Sequence, residues 1–176
     1  VQGSVKHSIL AELYYRYYTA NRWQINQNPI VDEGLESPMI NWSPERFYRV
    51  ILEQYDFSLR QGDRLTTIRT GSLPGLWIGN LADTLNKPDL YSLLISRSIE
   101  FLQNAGEFPL PAFKPELLCS PQLFMEPSVF IRLLPDSAAT GWNPFIRSLK
   151  GYADWLAKCN LVAQVPVDIG RLRYVY

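Results

Sequence analysis

The chain has 176 residues, 47% of them hydrophobic, 13% aromatic and 19% charged, with 17 Lys/Arg against 17 Asp/Glu. That is the length of one domain, long enough to bury roughly 70% of its unfolded surface. Zero net charge argues against a dedicated nucleic-acid or membrane-surface protein, whose affinity rests on a basic excess.

Residues 4–22 read as a helix. Successive steps of about 100° gather Val5, Ile9, Leu10, Leu13, Tyr14, Tyr17 and Tyr18 on one apolar arc, with Ser8, Glu12 and Arg16 opposite. Tyr15 falls on the polar side, apart from the other tyrosines. Residues 23–42 lack periodicity and read as a loop carrying the acidic patch Asp32, Glu33 and Glu36. Residues 43–62 have the strongest helical signature. Ser43 suits the N-cap, Pro44 the first turn and Gly62 the stop. Its apolar arc covers more than half the circumference, which implies burial on two sides. Its polar stripe offers i, i+4 pairs: Glu45 with Arg49, Arg49 with Glu53, Asp56 with Arg60.

A short strand is expected at 64–70. Gly71, Gly75 and Gly79 follow at intervals that fit turns, not a phosphate-binding fingerprint. Residues 76–106 read as a helical hairpin, turning at Asn86–Asp89 and stopping at Gly106. Such a hairpin occurs in DNA-binding domains and equally in plain cores. The next stretch changes character. Seven of the thirteen prolines lie between residues 107 and 144, so an irregular crossing is expected, with one strand at 128–134. Its Leu, Phe and Met content is too high for a disordered linker. A helix at 141–160, capped by Asn143, leads into two strands joined by Asp168-Ile169-Gly170, a hairpin signal.

The expected architecture is therefore α+β and mainly helical. A helical part spans 1–106, a packed proline-rich crossing 107–142, and a helix plus β-hairpin 143–176, all within one compact unit. Helix followed by hairpin is the element order of the back half of a winged helix.

Catalytic chemistry finds little support. His7 is the single histidine, so a Ser-His-Asp or Cys-His arrangement would have to be built around it. With Cys119 and Cys159 it lacks metal-ligand spacing, so no metal or cofactor is expected. Asp32, Glu33, Glu36, Asp63, Glu116 and Asp136 could serve carboxylate chemistry, yet no spacing singles out a pair. The two cysteines read as free structural thiols. No apolar run is long enough to cross a membrane and the N-terminus has no signal-peptide layout. A soluble, intracellular, cytoplasmic setting is expected. The chain begins with Val and ends inside a predicted strand, as a piece of a longer protein would.

Balanced charge, abundant aromatics and wide apolar arcs point first to a non-catalytic protein-interaction or scaffold domain. Tyr15, Trp23, Trp42 and Trp142 are its candidate anchors, and the partner would be another protein or a second copy. The alternative is a winged-helix nucleic-acid binder. Residues 143–176 carry five basic against two acidic residues, and Arg147, Lys150, Lys158, Arg171 and Arg173 would contact phosphate. A third reading is an enzyme using carboxylates.

Overall fold

The computed structural model describes residues 1–29, 37–72, 89–104 and 108–109. Four helices run through them: α1 Gln2–Ile25, α2 Pro44–Leu59, α3 Gly62–Leu65 and α4 Leu90–Gln103. Met39–Asn41 and Thr70–Ser72 form 3-10 turns. Among the described residues there is no strand, and the one β-like feature is an isolated antiparallel bridge between Arg69 and Asp89. The expected α+β class is thereby corrected to a helical one. The 128–134 strand, the final helix and the C-terminal hairpin all lie outside the described residues.

The strand expected at 64–70 is also corrected. Asp63 to Leu65 belong to α3, and Thr66 and Thr67 then donate their hydroxyls to the Asp63 and Arg64 carbonyls at 2.8 Å each. Threonine side chains that bond locally compete with a ladder, and here they close a turn. The chain stays extended just long enough for Leu90 N–H to reach the Ile68 carbonyl at 2.8 Å.

Two helices begin at side-chain caps. Ser43 accepts the Arg46 N–H at 3.3 Å and Pro44 follows in the first turn. Asp89 accepts both the N–H and the hydroxyl of Ser92 at 2.8 Å. Each cap satisfies a donor that the first turn would otherwise leave orphaned. The predicted i, i+4 pairs on α2 are not closed among the described residues. Arg60 instead lies over the Phe57 ring, 4.0 Å from its centroid.

α2 is the central helix. It packs along α1 over the largest interface and meets α4 on another side, which is where its wide apolar arc goes. The core is aromatic. Phe101 of α4 stands edge-on to Tyr15 at 5.3 Å and tilts against Tyr48 and Tyr55 of α2 at 5.8 and 5.6 Å. Beyond α4, Phe108 stacks on Tyr18 at 4.0 Å with the rings 10° from parallel. Such pairs add about 0.5–1.5 kcal/mol each beyond the area they bury. A smaller cluster of Leu65, Leu90, Leu93 and Leu94 seats the start of α4 on α3. No helix among the described residues is long and apolar enough to cross a membrane.

Candidate interaction surface

α1 buries only part of the face that its periodicity marks: Tyr18 is in the core and Tyr14, Tyr17 and Val5 pack against it, but Ile9 and Leu13 do not. The residues it closes against the core are Ser4, Ser8, Ala11, Tyr18 and Ile25, which span an arc of about 100°. Small side chains on this arc let α2 approach closely. The Ser8 hydroxyl is fully buried with no hydrogen-bond partner among the described residues, so close approach is favoured here over polar satisfaction. The cost falls on the other side of the helix. Ile9 is 42% exposed, Leu13 56% and Trp23 82%. All three lie within an arc of about 80°.

Ile9 and Leu13 of this row stand at the lip of a cleft of about 480 Å³ between α1 and α4. Ile9, Leu13 and Arg16 line one side; Arg97, Glu100 and Asn104 line the other. On each helix these positions repeat at three- and four-residue intervals, so each presents one face to the gap. Tyr55 of α2 also lines the cleft, where burial first and then the Glu12 carboxylate push its phenol well above the ordinary range. The lip carries its own ion pair, Glu12 to Arg16 at 2.7 Å. Mixed charge over an apolar and aromatic base suits an amphipathic protein segment better than a small polar substrate.

The proposed anchors separate. Trp23 stands out near the C-terminal end of α1. Tyr15 is half-buried, packed on Phe101 and Phe108, and lines the cleft. Trp42 is closed into the core: it stacks on Tyr14 at 5.9 Å, carries the Arg46 guanidinium 4.3 Å above its ring, and donates its indole N–H to the Ser37 carbonyl at 2.9 Å. Tyr14 lies half a turn around α1 from Trp23, so Trp42 and Trp23 face opposite ways. Trp142, Arg147, Lys150, Lys158, Arg171 and Arg173 lie outside the described residues, as do Asp32, Glu33, Glu36, Glu116, Asp136 and both cysteines. Asp63 is exposed on α3. His7 Nδ1 lies 2.7 Å from Gln54 Oε1 and the ring tilts against Phe57 at 5.3 Å. Among the described residues, no three His, Cys, Asp or Glu side chains converge on a common point.

Ile9 and Leu13 are the surface residues that periodicity assigns to the core. A signal for the reverse exists in the competing Ser4, Ser8, Ala11 row, which also recurs at helical intervals. No family model, curated protein or solved structure matches this chain.

Proposed function

We propose that this chain is a non-catalytic protein-interaction domain serving as a scaffold subunit of a larger assembly. The observation that carries the reading is the exposed apolar row of α1. Packing has put small residues inward and left Ile9 and Leu13 outward beside a cleft, with Trp23 exposed further along the same helix. Exposed aliphatic and tryptophan side chains grouped on one face are the material of an interface core, and tryptophan is the residue most enriched among hot spots. Its partner is another protein or another copy of the chain. Two scattered cysteines and balanced charge favour a soluble, intracellular setting.

Photo-crosslinking tests the reading. A benzophenone amino acid at position 13 or 23, in living cells, should yield discrete adducts with a protein chain. The same group at Asp56, exposed on α2, should not. If positions 13 and 23 give no more adduct than position 56, the row is not an interface and the reading fails.

A further inference from the structure

We propose that the cleft between α1 and α4 takes an acidic side chain of a partner protein, held by Arg97 of α4 and the Tyr55 hydroxyl of α2. This rests on the interaction-domain reading and names the chemistry of the partner's segment. The polar groups of the cleft divide into matched and unmatched. Arg16 holds Glu12 at 2.7 Å, and the Asn104 amide donates to the Glu100 carbonyl at 3.1 Å. The Arg97 guanidinium and the Tyr55 hydroxyl make no hydrogen bond or ion pair with any described residue. Tyr55 is only 1% exposed. The charges that act on its phenol, those of Glu12, Arg97 and Glu100, all line the cleft. The hydroxyl is therefore the end of the ring that reaches the cleft floor, and burial holds its proton in place at neutral pH.

Both unmatched groups are donors. A guanidinium cannot accept a hydrogen bond, and a phenol that keeps its proton has one to give. A single carboxylate has an oxygen for each, and its charge answers that of Arg97. Two acids also line the cleft, but neither takes this place. Glu12 is engaged by Arg16, and Glu100 is exposed at the rim, one turn along α4 from the half-buried Arg97. The charges of Glu12, Arg16, Arg97 and Glu100 sum to zero, so a lone anion gains little from the field of the cleft. A segment with an acid for Arg97 and a base one turn further on for Glu100 matches both. Its apolar neighbours would lie on Ile9, Leu13 and the rings of Tyr15 and Phe101. That set of side chains describes an amphipathic helix laid in a groove. The described helices of a second copy do not supply it. Their exposed large apolar side chains occur only on α1, where the neighbouring acid, Glu12, is already held.

The probe is a fluorescein-labelled, hydrocarbon-stapled, alanine-rich helical peptide. It carries one glutamate, a leucine one turn away on either side, and a lysine three residues after the glutamate. Its twin has glutamine in place of the glutamate. Anisotropy titrations against the full chain should show the glutamate peptide binding about fivefold or more tightly than its twin. With the Arg97→Gln chain the two peptides should bind alike, and Tyr55→Phe, which keeps the ring, should narrow the difference. Arg49→Gln on the exposed side of α2 should leave it unchanged. Circular dichroism melts confirm that each variant folds. Equal binding of the two peptides by the unaltered chain, or a preference for glutamate that survives Arg97→Gln, overturns the proposal. So does a chain that dimerises at micromolar concentration and loses the dimer on Arg97→Gln, since a second copy is then the occupant. In each case a position-13 photo-adduct with another protein leaves the interaction-domain reading standing. Failure of both peptides to bind also overturns the proposal, and if positions 13 and 23 give no adduct either, that reading falls with it.

Discussion

Asp89 holds the start of α4 through two bonds to Ser92, and it does so from a buried position. Burial raises its carboxyl above the ordinary 3.8, outweighing the Ser92 and Tyr91 hydrogen bonds that lower it. The folded chain therefore keeps this proton more tightly than the unfolded chain does. The associated stability is fully present below the unfolded value and is lost as pH rises through the raised folded value. Denaturant titrations across the acid range should show this fall, and Asp89→Asn, which keeps a cap oxygen, should flatten it. Asp89→Ala removes the cap itself and should cost about 1 kcal/mol near neutral pH. Had the two Ser92 bonds dominated, the slope would have the opposite sign, so the experiment separates the two causes.

At the level of the element, α1 makes the sharpest contrast between pattern and packing. Hydropathy alone makes Leu13 a core residue and Ala11 incidental. The structure reverses them: Ala11 is fully buried against α2 and Leu13 is mostly exposed. Ala11→Leu should force the helices apart at a cost of about 1–3 kcal/mol. Leu13→Ala should change the stability of the dilute chain by no more than about 0.5 kcal/mol. Equal effects in urea unfolding would mean that α1 is rotated from the orientation described. The helices themselves were legible from residues with local causes: Ser43 and Pro44 open α2, and the turn predicted at Asn86–Asp89 ends where α4 begins. Which face of α1 points inward was not, because the helix is apolar around most of its circumference and the choice lies with the close approach of α2. The Thr66–Thr67 turn was missed for a related reason. β-branched residues favour strands as a class, but their hydroxyls here bond to carbonyls three residues back. The candidate surface was legible in part: Trp23 is exposed, whereas Trp42 is in the core because Tyr14 and Arg46 close over it.

Across the whole molecule, the core depends on rings supplied by separate segments rather than on any one helix pair. Phe101 touches Tyr15, Tyr48, Tyr55 and Phe108. Phe101→Ala should cost about 3–5 kcal/mol and loosen both sides of the cleft it lines. The loss would be read as a shifted denaturation midpoint together with faster proteolysis in α1 and α4. A drop of less than 1 kcal/mol would mean that the cluster collapses around the gap rather than leaving a cavity. The Tyr18–Phe108 stack carries a consequence for biosynthesis. Tyr18 emerges from the ribosome long before its partner ring has been translated. Until Phe108 has cleared the exit tunnel, α1 and α2 can pair with Phe47 against the Tyr18 ring but leave the face that Phe108 stacks on uncovered, and a nascent chain halted short of that point would present an unfinished aromatic face to chaperones.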